Sequence, residues 1–365
     1  MSLALERAPA SALVISLRYL GDALLATPVV HALKQRWPQC AVDMLVFDSA
    51  RPILAGNPEL RRVITLPERP TRAQTFALMR ALWRRYDLAL ATQSGTRPAL
   101  FAWAAGRQRL GFLPPEAGKA WWKRALFDAV PAGPAPAAVV LDAMRLPALL
   151  GIEAAPVVVP PRAPDGRAAV LAACAVDIEG AAYAVIHPAP RFRYKQWTRA
   201  GWLAVIQALR ARGLRVLVTG GPAPEEAHYL DQLLAGLGDD EVQRIDGRLD
   251  FAATAALLAR ARVFVGVDTA TTHLAAACGA PTVAIFGPTD PAIWGPWPAR
   301  DGAAYASRGA LQARGQVILL QNDALPCVPC QQEGCDRHRA SRAQCLDELP
   351  AAPVLAAIES LAGRA

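Results

Sequence analysis

The segment from Val263 to Trp297, VFVGVDTATTHLAAACGAPTVAIFGPTDPAIWGPW, limits what this chain can fold into more than any other stretch. Val263 to Val267 is a short apolar, β-branched run and predicts a buried parallel strand. It stops at Asp268, passes through small and hydroxylated residues, and gives way to an apolar helical pattern from about Thr271 to Cys278, with Gly279 and Pro281 as the stop. Pro281 to Phe286 reads as the next buried strand, ending in the turn Gly287, Pro288, Thr289. Strand, turn, helix and strand in this order make an open α/β sheet, whose ligands bind outside the carboxyl ends of the strands. Amides at the helix start, with the hydroxyls of Thr269, Thr271 and Thr272, suit an anionic phosphate. The plainer alternatives are Asp268 or Thr269 as a helix cap and His273 as a packed, hydrogen-bonded residue.

The same alternation runs through the rest of the chain. Leu13 to Leu17 predicts a strand, Arg18 to Asp22 a turn, and Ala23 to Trp37 a helix that ends before Pro38. Asp22 sits where an N-cap sits, yet a carboxylate at the end of a first strand is also placed to act as a general base. Gly21 is expected to supply the sharp turn beside it. Val42 to Phe47, Val63 to Leu66 and Leu88 to Thr92 continue the strands, with a helix over Ala73 to Arg85, as in a doubly wound parallel sheet. A Pro-rich stretch, Val157 to Asp165, marks the boundary between a first domain, 1–165, and a second, 166–350. In the second, strands follow at Tyr183 to Ile186, Arg215 to Thr219 and Val242 to Ile245, before the two already described.

At 365 residues and 53% apolar, the chain is long enough for two α/β domains with packed cores. The first residues are too polar for a signal peptide and no later run reaches the length of a membrane span, so the expectation is a cytoplasmic protein. A net charge of +8 points to an acidic partner, namely a phosphorylated substrate, an anionic membrane face or nucleic acid. No nucleic-acid module is present, which disfavours the last. Basic and aromatic residues mix between Arg97 and Arg124. About half read as a solvated face and the rest suit an acceptor rich in carboxylates and phosphates, with the pattern alone leaving open which are which.

Two loops of the second half carry further chemistry. His187 and Pro188 lead into Arg191, Phe192, Arg193, Tyr194, Lys195, Gln196 and Trp197, either surface charge or a clamp for a leaving diphosphate. Gly220, Gly221 and Pro222 precede Glu225 and Glu226. The tail holds Cys327, Cys330, Cys335 and Cys345, with a reduced structural loop and a zinc site as the two readings.

The residues D-T-x-x-x-H-L-A-A-A from Asp268 and P-T-x-x-x-F-G-P-T-D-P from Pro281 resemble the signature of glycosyltransferase family 9, the ADP-heptose:lipopolysaccharide heptosyltransferases. Ala270 stands where that family usually has Gly. R-Y-x-G-D-x-L-L-x-T-P-V from Arg18, K-x-W at Lys195 and W-x-P-W at Trp294 are similar to the heptosyltransferase III branch, and the resemblance runs from Leu13 to about Glu348. It implies the glycosyltransferase B fold, two Rossmann-like domains facing across a cleft, the first binding acceptor and the second a nucleotide sugar, with a last helix in 351–365 able to cross back. The implied reaction is inverting transfer of heptose from ADP-L-glycero-D-manno-heptose to the lipopolysaccharide inner core, with no cofactor required. Asp22 would be the base and Lys195 would meet the diphosphate. Gly21, Thr27, His187, Glu225 (for the ribose), Asp268, Thr269, Thr271, Thr272, His273, Gly287, Pro288 and Thr289 would hold the donor, and Arg18, Arg97, Lys119 and Lys123 a lipid-linked anionic acceptor at the inner face of the cytoplasmic membrane. The alternatives are a family member with another nucleotide-sugar donor and a nucleotide-sugar epimerase of the same fold. A dinucleotide dehydrogenase would need G-x-G-x-x-G after the first strand, which L-R-Y-L-G-D does not supply.

Overall fold

The computed structural model describes every residue except 1–2, 4–6, 134, 136, 239–240 and 363–365. The chain divides into two compact units, Met1–Pro161 and Arg162–Ala365. In the first, largely apolar runs form strands β1 (Ser11–Ser16), β2 (Ala41–Phe47), β3 (Arg62–Leu66) and β4 (Tyr86–Ala91), and a polar edge segment, which the apolar pattern does not predict, forms β5 (Gly106–Gly111). They pair in parallel in the order β3-β2-β1-β4-β5. The order reverses between β1 and β4, so the loops leaving these two strands open at a topological switch point. At the other end of the sheet Asp43, fully buried, accepts from Arg61 Nε at 2.8 Å and Arg62 Nε at 2.6 Å, and ties β2 to β3.

The single helix expected over Ala23 to Trp37 is two, Leu20–Leu25 and Thr27–Arg36, meeting at Ala26. Pro28 has no N–H to carry one hydrogen-bond ladder through, but is well placed in a first turn. The Thr27 hydroxyl secures the junction by donating to Leu24 O at 2.7 Å and accepting from Val159 N at 2.9 Å. Thr27, expected to touch the donor, is therefore wholly buried and structural. Asp22 and Gly21 lie inside the first turn of Leu20–Leu25, whose N-cap is Tyr19. Asp22 is thus not the cap, and Gly21 is not among the positive-φ residues that a sharp turn would need.

The second unit carries β6 (Tyr183–His187), β7 (Arg215–Val218), β8 (Gln243–Arg244), β9 (Val263–Val267), β10 (Thr282–Phe286), β11 (Leu311–Arg314) and β12 (Val317–Gln321). Their order is β11-β12-β10-β9-β6-β7-β8, parallel except for the β11–β12 hairpin. Here the order reverses between β6 and β9. Side-chain caps start the helices Arg199–Ala211, where Thr198 Oγ1 accepts from Gly201 N, and Phe251–Leu258, where Asp250 accepts from Ala253 N. The final helix, Ala351–Ala362, packs on Arg199–Ala211 and on β9, β10 and β12. Its Val354, Ala357, Ile358 and Leu361 join the core of the second unit. The helix read as one able to cross back belongs to this unit, and residues 363–365 lie outside the described residues.

The helix after β9 is pressed close to its own strand. A Cβ on Gly266 would stand 2.6 Å from the Phe264 ring and 2.8 Å from Thr272 Oγ1. Gly266→Ala should destabilise the second unit by about 1–3 kcal/mol through overpacking, read as a lower urea midpoint.

Candidate active site

In the second unit the chemistry gathers on one carboxylate. Asp268 leaves the end of β9 and is buried. Its Oδ2 accepts from Lys195 Nζ at 2.6 Å and from Thr289 Oγ1 at 2.6 Å. Lys195 comes from the loop after β6, and Thr289 from the turn after β10. Burial works to raise the Asp268 carboxyl, but the Lys195 charge and these hydrogen bonds hold it below the ordinary carboxylate range. His273, on the helix Ala270–Ala277, is buried, and burial pushes its imidazole down to about 4. Among the described residues its Nδ1 has no hydrogen-bond partner.

The Lys195 loop is fixed by Trp197, which is buried, donates from Nε1 to Leu349 O at 2.9 Å and stacks edge-on against Trp202. Of the threonines at the start of Ala270–Ala277, Thr272 is fully buried and its hydroxyl donates to Val267 O at 2.5 Å. That hydroxyl pins the helix to its strand and is not presented to a ligand. Thr269 is half-buried and makes no side-chain cap bond, and Thr271 is 8% exposed. Ala270, in place of the usual glycine, is not among the residues with positive φ, so this helix start needs no glycine for its backbone conformation.

The turn after β10 is held from beneath. Gln321, buried at the end of β12, donates from Nε2 to Gly287 O at 2.9 Å and to Thr289 O at 3.2 Å. A Cβ at Gly287 would meet Leu346 at 2.7 Å, so this turn lies directly on the tail. Pro288 O accepts from Gln331 N at 2.8 Å. The Thr219 hydroxyl donates to Ile186 O at 3.1 Å, leaving its oxygen to accept from His187 Nδ1 at 2.9 Å. Burial holds His187 at about 4, and it is neutral near pH 7. Of the two glutamates, Glu225 is exposed. Glu226 Oε2 instead accepts from Gly221 N at 2.6 Å, which aims it into the loop after β7, and burial raises its carboxyl.

In the first unit the loops after β1 and β4 are fastened by Gln93. Its Oε1 accepts from Leu17 N at 3.0 Å and its Nε2 donates to Ser16 Oγ at 3.2 Å. Asp22 is half-buried beside them, with Arg18 Nη1 3.5 Å from its Oδ1. Burial raises the Asp22 carboxyl above its usual range, against the opposing pull of Arg18. Lys123 is buried, only 4% exposed, and donates to Ser94 O at 3.0 Å, in the loop after β4. Arg97 lies over the Phe47 ring at the exit of β2. Lys119 is exposed, 3.5 Å from the exposed Glu116. Gln93 and Gln321 were not singled out from the sequence. The signal for Gln321 is a glutamine that closes an otherwise apolar strand, where burial forces its amide to find partners, while Gln93, half-buried in the loop after β4, carries no such signal.

The zinc alternative finds no support. Among the described residues no three His, Cys, Asp or Glu side chains are placed to hold a metal ion. Cys345 is buried, and burial, with smaller effects of Cys330, Cys335 and Cys327, pushes its thiol up to about 12.

Two Rossmann-like sheets, each with charged residues at its switch point, fit several enzyme classes. The family model described as Glycosyltransferase family 9 (heptosyltransferase) matches residues 75–322. The chain belongs to this family. It is 30% identical over 292 residues to lipopolysaccharide heptosyltransferase 3 of Escherichia coli, covering 77% of this chain and 84% of that one. It is similar in fold to the structure of E. coli ADP-heptose lps heptosyltransferase II, with TM-score 0.71, 18% identity and coverage of 97% and 99%. E. coli heptosyltransferase WaaC with ADP gives TM-score 0.68 and 21% identity, with coverage of 96% and 99%. This family 9 glycosyltransferase therefore has the glycosyltransferase B fold, with an α/β Rossmann-like sheet in each unit.

The two low imidazoles give this enzyme a pH signature. Between about 4, where His187 and His273 titrate in the fold, and about 6.5, their ordinary value, the unfolded chain binds more protons than the folded one. Stability from keeping them neutral is complete above about 6.5 and is lost as pH falls toward about 4. Urea unfolding between pH 7 and 4 should show a loss on the order of 1 kcal/mol or more per histidine, and His187→Asn should flatten the slope.

Proposed function

We propose that the protein transfers a heptose from ADP-L-glycero-D-manno-heptose to a hydroxyl of the lipopolysaccharide inner core, with inversion at the sugar carbon. The observation that carries this reading is the Lys195 ammonium held 2.6 Å from Asp268 beside the start of Ala270–Ala277. A cation and a helix N-terminus at one sheet edge are what a departing diphosphate requires. Family membership and the resemblance to heptosyltransferase 3 support the sugar and the acceptor class.

The roles follow from the chemistry of each group. Asp22 is the general base, because a carboxyl raised by burial takes a proton more readily than an ordinary one. Lys195 and the helix amides take up the charge that grows on ADP as the glycosidic bond breaks. Thr269, Thr271, His273 and the turn Gly287 to Thr289 line the donor side, with Asp268 orienting Lys195 there. His187 serves the same side as a neutral hydrogen-bonding group. Glu226, directed into its loop by Gly221, is the better candidate than Glu225 for the ribose hydroxyls. Arg18, Arg97 and Lys119 meet the anionic acceptor, whereas Lys123, expected to join them, is buried and gives its ammonium to Ser94 O in the loop after β4. Because that acceptor is lipid-linked, the enzyme works at the inner face of the cytoplasmic membrane. Among the described residues no helix is long and apolar enough to cross it, so the association proposed is peripheral.

Mass spectrometry of the lipopolysaccharide core from a strain lacking the protein should show a core short of one heptose, and an unchanged core would overturn the proposal. With purified enzyme, Asp22→Asn keeps the size of the side chain but cannot accept the proton. Turnover should drop by about 10² to 10⁴ while ADP affinity and melting temperature stay near wild type.

Lys195→Ala should weaken donor binding and slow turnover together, since the charge it meets is present in the bound diphosphate and grows in the transition state. Asp268→Asn, which breaks the same pair but keeps the ammonium, separates loss of the cation from damage to the buried pair. It should lower turnover less than Lys195→Ala in steady-state kinetics.

A further inference from the structure

The helix Arg72–Leu82, between β3 and β4, turns apolar side chains toward both the protein and the solvent. Its inner side carries Leu82, buried, with the half-buried Leu78 and Met79 packed on the core of the first unit. On its outer side Phe76 is 69% exposed, and Trp83, the C-cap, is 50% exposed. At 3.6 residues per turn, Arg72, Phe76, Arg80 and Trp83 fall within about 80° of arc, a single stripe of alternating guanidinium and ring. Trp83 is held rather than loose, with Trp103 edge-on at a centroid distance of 5.1 Å and the Arg84 guanidinium 5.7 Å from its ring.

Charge along this segment has one sign. From Arg69 to Tyr86 the sequence has five arginines and no Asp or Glu. A solvated helix face ordinarily mixes signs, and a monomeric surface ordinarily hides its rings. Large rings set among cations, with no carboxylate between them, match the boundary of an anionic bilayer. There the rings enter the headgroup layer and the guanidinium groups stay with the phosphates.

We propose that the outer face of Arg72–Leu82, with Trp83, is the surface by which this enzyme docks on an anionic lipid bilayer. The occupant is the lipid surface itself. The purpose of docking rests on the reading that the acceptor is lipid-linked, but the contact needs neither acceptor nor donor and is testable without them. Another exposed aromatic of this unit, Trp121 at 75%, lies on a helix, Ala117–Arg124, preceded by Glu116, which pairs with Lys119. That helix is also basic, but its Lys123 is buried and its Lys119 faces Glu116, so fewer of its cations are turned outward, and it serves as the comparison.

The test is co-sedimentation of the full-length protein, without substrates, with vesicles of phosphatidylcholine containing roughly a third phosphatidylglycerol, against phosphatidylcholine alone, a composition chosen for its negative surface. Wild type should bind the anionic vesicles, with tryptophan emission shifted to the blue, and leave them in high salt. Phe76→Ser should weaken binding by about ten-fold, and Arg72→Gln with Arg80→Gln by about five-fold each. Trp121→Ser should leave binding unchanged. All these variants should keep the wild-type melting temperature and heptosyl transfer to a delipidated core acceptor, which separates failure of this surface from failure of the proposed reaction. Binding that persists in high salt, ignores the anionic lipid, survives the changes at Phe76, Arg72 and Arg80 or vanishes with Trp121→Ser would overturn the proposal. So would light scattering that shows a dimer which Phe76→Ser separates, since the face would then belong to a second copy of the chain.

Discussion

The buried carboxylate of Asp268 is the point on which the second unit's site depends. A charge taken out of water must be paired and hydrogen-bonded or it costs several kcal/mol. Here one oxygen is satisfied by Lys195 and Thr289, which arrive from the exits of two other strands. That requirement fixes three loops relative to one another before any ligand is present. The ammonium is consequently preorganised, and preorganised charge is what stabilises a leaving group without reorganisation at the moment of reaction. Supports outside this shell follow the same logic, as Trp197 braces the Lys195 loop and Gln321 the Thr289 turn.

The two carboxylates to which chemistry is assigned are pushed in opposite directions by different balances of the same forces. For Asp268, the half-buried Lys195 ammonium and the hydrogen bonds to the carboxylate together outweigh burial, and the group stays ionised. For Asp22, burial outweighs Arg18, whose side chain is 53% exposed and whose charge is screened by water. A raised carboxyl in one unit and a lowered one in the other suit the roles of base and counterion proposed for them.

Excess positive charge is a poor guide to where an acidic partner binds, because much of it is spent inside the fold. Arg61 and Arg62 serve Asp43, Arg109 serves Asp128, Arg199 donates to the carbonyls of Leu233 and Ala235, and Arg308 donates to those of Asp323, Leu325 and Pro326. Lys123, which reads as one member of a basic run, is buried, whereas its neighbour Lys119 is exposed. Only the placement of each cation against carbonyls, rings and carboxylates separates structural charge from charge turned outward.

The chain itself determined most of the strands and their order of appearance, because β-branched apolar runs that end in Asp, Gly or Pro have few other ways to bury themselves, but not β5, whose GRQRLG is no apolar run, nor the β11–β12 hairpin. It also determined that Asp22, Lys195, Asp268 and Thr289 lie at strand exits, since each directly follows such a run or the loop it opens. Spacing could not show that Thr27 and Thr272 give their hydroxyls to nearby carbonyls, that Glu226 and not Glu225 turns into its loop, or that Asp22 lies within a helix. Nor could it assign Gln93 and Gln321 their anchoring roles, or place the last helix on the second unit's own core. Local pattern records which residues want burial, and not which partner each will meet. Lys195 and Asp268 stand 73 positions apart in the chain and 2.6 Å apart in space, and only the crossing of parallel strands at a switch point brings them together.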